Sequence, residues 1–201
     1  MYLYGASGHA KVVADILCEN DIPIEGVYDD NLSLMFFKNY NFLGILKETK
    51  PHQEFLICIG NNASRKKVVN NLQVTWGSAI SKQTNISKTA VIKEGIVIMR
   101  GASINTDAVI GKHVILSTNC SIDHDCIVED YVHVSPNVAL AGNVHVGEGA
   151  SIGTGACVIP GIKIGKWATI GAGTVIIRDV PDYAVVVGNP GRIIKYNEKT
   201  I

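Results

Sequence analysis

The 201-residue sequence lacks a charge excess, long apolar runs and paired cysteines, and each absence excludes a class of protein. Its 18 acidic and 18 basic residues cancel, so charge gives no reason to expect binding to nucleic acid or to an anionic membrane. There is no apolar run of about eighteen residues and no basic leader with an apolar segment, so we expect no membrane insertion. The five cysteines form no CxxC pair and no zinc spacing, which predicts reduced thiols and a cytoplasmic location.

What the chain does have is an aliphatic residue at every sixth position from Ile80 to Ile176, without an insertion. A helix would need a period near 3.6 and a simple strand a period of 2. Four residues after each aliphatic comes a small or β-branched residue, and Cys120 and Cys126 fall in this set, so we expect both in the core. The period predicts a parallel β-helix in which three hexapeptides close a triangular coil of eighteen residues.

Before Ile80 the pattern changes to short apolar runs that alternate with helical stretches. Strands are predicted at 2–4, 24–28 and 54–59, and helices at about 10–19 and 64–72. Strands alternating with helices indicate a small parallel α/β sheet.

The chain therefore divides into an α/β domain at 1–76 and a β-helix domain at 77–201. After Val180 the period stops, and Pro181, Pro190 and Gly191 predict a tail that forms a loop over the last coils.

A glycine turn, Gly5-Ala6-Ser7-Gly8, stands between the first strand and the first helix. Such a turn offers free backbone N–H groups and the positive end of a helix dipole, which suit a phosphate or diphosphate. His9 and Lys11 flank it and favour an anion site over an ordinary tight turn. Asp29-Asp30 and Gly60 end the next two predicted strands, and an acid there can accept sugar hydroxyls.

Among the four histidines of the β-helix, His124 is distinguished by a carboxylate on each side, Asp123 and Asp125. A neutral imidazole paired with a carboxylate is the usual general base near neutral pH. Metal binding is the alternative, but no other His or Cys lies at a useful repeat spacing, so no metal site is predicted. The eighteen-residue coil predicts that Gly142 stacks on His124.

The other three histidines receive simpler expectations. His113 and His145 are expected to be solvated. His133 lies half a coil from His124, so the two could meet only across a subunit boundary, which favours a trimer.

Eight short motifs follow one another along nearly the whole chain. They are Tyr4-Gly5-Ala6-Ser7-Gly8-His9-Ala10-Lys11, Asp29-Asp30, Ile59-Gly60-Asn61-Asn62, Arg65-Lys66-Lys67, His124-Asp125, His133-Val134-Ser135, Ala141-Gly142-Asn143 and Val187-Gly188-Asn189-Pro190. In this order they resemble the bacterial sugar O- and N-acyltransferases, in particular the sialic acid O-acetyltransferase and nucleotide-4-amino-sugar N-acetyltransferase group. The resemblance implies a left-handed β-helix, a homotrimer, and acetyl-CoA bound between neighbouring coils.

The resemblance also implies individual site residues. His124 would be the base, and Asp125 would raise its basicity. Ser7, Gly8, His9, Asp29, Asp30 and Gly60 would hold a nucleotide sugar, with Lys11 beside them. His133, Thr154 and Ala172 would contact acetyl-CoA, and Gly142 would lie close to the reacting groups.

The chain departs from the family at two positions. Asp125 stands where some members carry Glu, which leaves its contact with His124 open. Gly191 stands where many carry Ala, which leaves the contacts of the tail with CoA open.

Three functions follow as hypotheses. The first is acetylation of the 4-amino group of a UDP-linked 4-amino-dideoxy sugar, for a surface glycan or glycoprotein, with a GDP-linked amino sugar as a variant. The second is O-acetylation of sialic acid or another sugar hydroxyl. The third, a non-catalytic nucleotide-binding or scaffold trimer, is disfavoured by the His124-Asp125 pair.

Overall fold

The computed structural model describes residues 1–34, 39–49 and 53–198, and its first part is a small α/β sheet. Its elements are β1 (Tyr2–Tyr4), α1 (Gly8–Glu19), β2 (Gly26–Tyr28), a 3-10 turn (Leu32–Leu34), β3 (Phe42–Gly44), β4 (Glu54–Ile57), α2 (Asn62–Asn71) and β5 (Thr75–Trp76). All five strands are parallel, in the order β3-β2-β1-β4-β5.

The predicted strands and helices of this sheet are present, with shifted ends. Helix α1 begins at Gly8 rather than Ala10, and α2 begins at Asn62 rather than Ser64. Helix α2 starts early because the side chain of Asn61 accepts the backbone N–H of Ser64 as an N-cap. Strands β3 and β5 were not predicted.

The second part is a solenoid of two-residue strands, each ending on one of the periodic aliphatic residues. These are β6 (Ala79–Ile80), β7 (Asn85–Ile86), β8 (Val91–Ile92), β9 (Val97–Ile98), β10 (Ser103–Ile104), β11 (Val109–Ile110), β12 (Ile115–Leu116), β13 (Ser121–Ile122), β14 (Ile127–Val128), β15 (His133–Val134), β16 (Ala139–Leu140), β17 (His145–Val146), β18 (Ser151–Ile152), β19 (Cys157–Val158), β20 (Lys163–Ile164), β21 (Thr169–Ile170) and β22 (Val175–Ile176).

Every third solenoid strand pairs in parallel, so the chain forms a prism with three faces, as the period predicts. The six-stranded face has the order β22-β19-β16-β13-β10-β7, and the five-stranded face has the order β20-β17-β14-β11-β8. The third face, which we call the docking face, runs β21-β18-β15-β12-β9-β6 and continues into the tail.

The periodic aliphatic residues fill the inside of the prism. From Ile98 to Ile176 each is at most 3% exposed, whereas Ile80, Ile86 and Ile92 are only partly buried because no earlier coil covers them. Cys120 and Cys126 are buried in the same core, which confirms the prediction for both.

Most corners of the prism are turned by a left-handed residue, three positions after the aliphatic. From Gly95 to Gly173 every such residue has positive φ, and most are Gly, Asn or Asp, which tolerate this region best. The glycines that directly follow an aliphatic serve a different purpose. A Cβ on Gly111, for example, would lie 2.6 Å from the backbone of the next coil.

The α/β sheet rests on the docking face of the solenoid. Outward side chains of this face, Ala79, Val97 and Ile115, join one apolar cluster with Leu3 and Leu17 of the α/β domain. Strand β5 ends at Trp76 and β6 begins at Ala79. That the two parts are separate domains divided at 76 stays a prediction.

The tail lies over the last coils, as predicted, but the prediction that it forms a loop is wrong. The tail forms two strands, β23 (Ala184–Val187) and β24 (Arg192–Tyr196). Strand β23 pairs in parallel with β21, and β24 pairs antiparallel with β23. The β-branched run 185–187 has strong strand propensity, and Pro181 and Pro190 lie outside both strands.

We predict that Gly111→Ala destabilises the fold, because its Cβ would meet the backbone of Asp130 at 2.6 Å. Overpacking of this kind costs about 1–3 kcal/mol, measured by thermal or urea unfolding. The matched control is Gly155→Asn. Gly155 has φ +69° with open space around its Cβ, and Asn occupies the equivalent corner at Asn119 and Asn137. Equal loss of stability in both variants would contradict this account.

Candidate functional site

His124 stands on the corner between the six-stranded and five-stranded faces, paired with the next residue. Its Nδ1 lies 2.8 Å from Oδ2 of Asp125, and both side chains are 60% exposed. The hydrogen bond to Asp125 is the main cause that raises the pKa of His124 above its ordinary value. With Nδ1 donating to Asp125, Nε2 is the ring nitrogen left to accept a proton.

The stacking of Gly142 on His124, predicted from the coil length, is confirmed. A Cβ built on Gly142 would lie 2.5 Å from Nε2 of His124, so the imidazole occupies space that only glycine leaves free. Asp123 supports the same turn, because its Oδ1 accepts the backbone N–H of His124 and the side-chain amide of Asn105. Nε2 therefore sits at a fixed point on this corner.

Thr154 and Ala172 lie on a different corner, between the docking face and the six-stranded face, and both are exposed. The six-stranded face separates them from His124 and Gly142. Its outward residues are mostly small, which leaves an open surface between the two corners. They are Asn85, Ser103, Ser121, Ala139, Cys157 and Val175.

The glycine turn is held by an acid that we expected to bind sugar. Asp29 accepts the N–H of Ala6 at Oδ2 (2.7 Å) and the N–H of Asn31 at Oδ1 (2.8 Å). The N-cap Ser7 makes no side-chain cap hydrogen bond, and α1 starts at Gly8 with open space in front of it. The turn therefore presents the first N–H groups of a helix, which suit an anion.

Beside this turn lies a cleft of about 780 Å³ at the carboxyl ends of β1, β2 and β4. Asp29 and Asp30 line it, and Tyr4 donates its hydroxyl to Oδ1 of Asp30 at 2.8 Å. Burial and this hydrogen bond raise the pKa of Tyr4. Three further lining residues, Tyr4, Ser64 and Lys67, had no predicted role. The motifs that begin at Tyr4 and at Arg65 were the available signals for Tyr4 and Lys67.

Two other predicted residues, His9 and His133, meet where the α/β domain contacts the docking face. His133 Nδ1 lies 3.3 Å from the carbonyl of Gly60, and its Nε2 lies 3.2 Å from Oγ of Ser117. Burial, helped by Arg65, lowers the pKa of His133 to about 4. Burial also lowers the pKa of His9 to about 4, with His133 as the next cause.

The expectation that His113 and His145 are solvated is wrong for His113. It is 1% exposed, with Trp76 edge-on at 4.8 Å and Tyr131 stacked at 5.4 Å between ring centroids. Burial lowers its pKa to about 4. The prediction failed because Trp76 and Arg65, which precede the solenoid in the chain, cover this corner. His145 is half-exposed, with Nε2 2.8 Å from Glu129.

The predicted residues thus fall into three groups. The group around the glycine turn contains Ser7, Gly8, His9, Asp29, Asp30, Gly60 and His133, and Lys11 is exposed nearby on the first turn of α1. A second group, His124, Asp125 and Gly142, shares one corner of the prism. The third group, Thr154 and Ala172, shares another corner.

Within residues 1–34, 39–49 and 53–198, no helix is both long and apolar enough to cross a bilayer. The same residues bring together no group of three or more His, Cys, Asp or Glu suited to a metal ion.

Comparison with known proteins identifies both parts of the chain. Residues 1–72 match the PglD N-terminal domain, and residues 143–178 match the bacterial transferase hexapeptide of six repeats. The structure is similar to a mutant perosamine N-acetyltransferase from Caulobacter crescentus in complex with CoA and GDP-perosamine, with 32% identity, a TM-score of 0.91 and 96% of each chain covered. The chain belongs to the acetyl-CoA-dependent, hexapeptide-repeat sugar N-acetyltransferases.

Two further relatives agree with this membership. The acetyltransferase domain of PglB from Neisseria gonorrhoeae, in complex with acetyl coenzyme A, is 32% identical with a TM-score of 0.89, covering 96% of this chain and 98% of that one. UDP-N-acetylbacillosamine N-acetyltransferase from Bacillus subtilis is 40% identical over 107 residues, 48% of this chain and 50% of that protein. The chain thus spans 50% of the length of this Bacillus relative, and 20% of the length of an uncharacterized protein of Acanthamoeba polyphaga mimivirus to which it is 36% identical over 98 residues.

We predict that Asp125→Asn lowers the pKa of His124 in this acetyltransferase, towards the ordinary value of about 6.5. Asp125 stabilises the protonated imidazole, so its loss favours the neutral form at lower pH. NMR titration of the His124 ring measures the shift directly. Asp123→Asn is the control and should shift the pKa less, because Asp123 contacts the backbone of His124 rather than its ring. An unmoved pKa in Asp125→Asn would contradict the pairing.

Proposed function

We propose that this enzyme transfers the acetyl group of acetyl-CoA to the 4-amino group of a UDP-linked 4-amino-dideoxy sugar, in the synthesis of a surface glycan or glycoprotein. The observation that carries the chemistry is the imidazole of His124, aligned by Asp125 through Nδ1, with Nε2 over Gly142. Such a pair argues for catalysis rather than a purely structural solenoid. The five free cysteines support a cytoplasmic location, where thiols stay reduced.

The reaction needs one base and no covalent enzyme intermediate. The neutral amine nitrogen attacks the thioester carbonyl carbon, and His124 Nε2 takes the proton that this nitrogen loses as the bond forms. The C–S bond then breaks, and the CoA thiolate leaves and takes that proton from the imidazolium. Asp125 stabilises the imidazolium that forms, and a backbone N–H would stabilise the oxyanion.

The nucleotide sugar and acetyl-CoA would bind to different surfaces of the chain. The diphosphate would lie at the N-terminus of α1, where Ser7 and Gly8 offer open N–H groups, and the nucleoside would enter the cleft lined by Asp30. Acetyl-CoA would run along the six-stranded face between the corners of Gly142 and Thr154. His9 and Gly60 would border the sugar. His133, expected to contact acetyl-CoA, lies beside Gly60 on the docking face rather than on the corner of Thr154, so it would meet the acetyl end of acetyl-CoA next to the sugar.

A GDP-linked amino sugar is the second candidate substrate. It is favoured by the Caulobacter structure, which contains GDP-perosamine, whereas the Bacillus relative is named for a UDP sugar. Both nucleotides present the same diphosphate to the glycine turn, so the purine or pyrimidine must be distinguished in the cleft.

We also propose a homotrimer. On the five-stranded face, outward Val91 and Ile127 are 52% and 44% exposed, with Val109 between them. The equivalent apolar residues of the docking face are covered by the α/β domain. An apolar stripe of this kind on a β-helix suits contact with further copies of the chain.

The test is a CoA-release assay against UDP- and GDP-linked 4-amino sugars and free sialic acid. We expect turnover of a nucleotide amino sugar, and His124→Ala should lower its kcat by about 10²–10⁴. Thr106→Ala is the matched control, because Thr106 occupies the same corner one coil earlier and should leave kcat unchanged. Turnover of sialic acid alone, or a His124→Ala enzyme within about threefold of wild type, would refute the proposal.

A further inference from the structure

Arg65, on the first turn of α2, is a buried cation whose partners are all uncharged oxygens. It is 1% exposed. Its Nε, Nη1 and Nη2 groups together reach five acceptors, the number of N–H bonds that a guanidinium carries. The acceptors are the carbonyls of His113 (2.9 Å), Tyr131 (2.7 Å), Ile59 (3.0 Å) and Gly60 (3.1 Å) and Oδ1 of Asn62 (2.9 Å).

These acceptors belong to two parts of the molecule. His113 and Tyr131 lie on successive coils of one prism corner, whereas Ile59 and Gly60 form the turn after β4. Because the guanidinium is a rigid planar fork, it fixes the distance between the solenoid and this turn. Lysine could not do the same, since its donors radiate from a single atom.

The carbonyl of Gly60 extends this contact to His133. It accepts from both Arg65 Nη1 and His133 Nδ1. Nδ1 must then carry the proton, so Nε2 accepts the hydroxyl of Ser117. Burial keeps both His133 and the nearby His9 neutral near pH 7. Arg65 therefore supplies the formal charge of this cluster and sets the position of the Gly60 turn and the His133 ring together.

We propose that Arg65 is the positioning residue of the nucleotide-sugar subsite. It does not touch the substrate, because it is buried. It fixes the positions of the Gly60 turn and the His133 ring relative to the glycine turn, so that these three groups together form the edge that would bind the nucleotide sugar. The assignment rests on the proposed function, which places the nucleotide sugar at this edge.

The experiment compares Arg65→Lys, which keeps a basic nitrogen donor and loses the fork, with Arg65→Gln, which loses both. Calorimetric titration with UDP, GDP and CoA and steady-state kinetics with the acetyl acceptor are the measurements. We expect Arg65→Lys to raise Kd for nucleotide and KM for nucleotide sugar by roughly tenfold or more, since small misplacements of binding groups are costly. Kd for CoA should stay within about twofold, because CoA itself is expected along the six-stranded face, away from Arg65 and the Gly60 turn.

Lys66→Met is the matched control. Lys66 also ties α2 to the solenoid, through Glu148 and the rings of Tyr131 and Trp167, but its contacts leave out the Gly60 turn. Its loss should lower thermal stability and leave nucleotide binding within about twofold of wild type. A substrate-specific KM effect in Arg65→Lys and not in Lys66→Met is the result that a merely structural residue would not give.

Three results would count against the assignment. Folded Arg65→Lys that binds nucleotide like wild type overturns it. Failure of both Arg65 variants to fold, where Lys66→Met folds, identifies a folding residue and overturns it as well. A wild-type enzyme that binds neither UDP nor GDP and acetylates no nucleotide amino sugar would refute the proposed function itself.

Discussion

The packing of the α/β sheet and the tail on the solenoid depends on side-chain N–H groups that donate hydrogen bonds to one column of solenoid backbone carbonyls. One corner of the prism is turned in four successive coils by the left-handed residues His113, Tyr131, Gly149 and Trp167. Among the described residues, no backbone N–H donates to the carbonyls of these four. Arg65 donates to the first two, Asn62 to the third and Asn197 to the fourth. Buried carbonyls need such partners, so the first three fix where the α/β sheet sits, and the fourth holds the tail.

That placement has a consequence for catalysis. The α/β sheet is fixed against the docking face, with the glycine turn, Gly60 and His133 at its edge. His124 stands on the corner between the other two faces. Each chain thus presents its nucleotide subsite and its candidate base in different directions. We infer that a complete site forms between two copies of the chain, which is the physical reason for the proposed trimer.

The solenoid and its base could be predicted because a period of six is a local constraint. It gave the prism, the buried Cys120 and Cys126, and Gly142 under His124. The burial of His113 could not be predicted, since Trp76 and Arg65 reach it only through tertiary packing. Asp29 likewise matched a sugar-binding pattern, yet its carboxylate holds the N–H of Ala6 and Asn31, which strand spacing alone does not reveal.

The shared site is tested most directly by mixing two inactive chains. One carries His124→Ala, and the other carries Gly8→Val, which fills the open space before α1 and blocks the nucleotide. Co-expressed with different tags and purified through both, the mixed oligomers should regain acetyl transfer, because some interfaces join an intact His124 to an intact nucleotide subsite. Mixed oligomers no more active than the two parents would contradict the account.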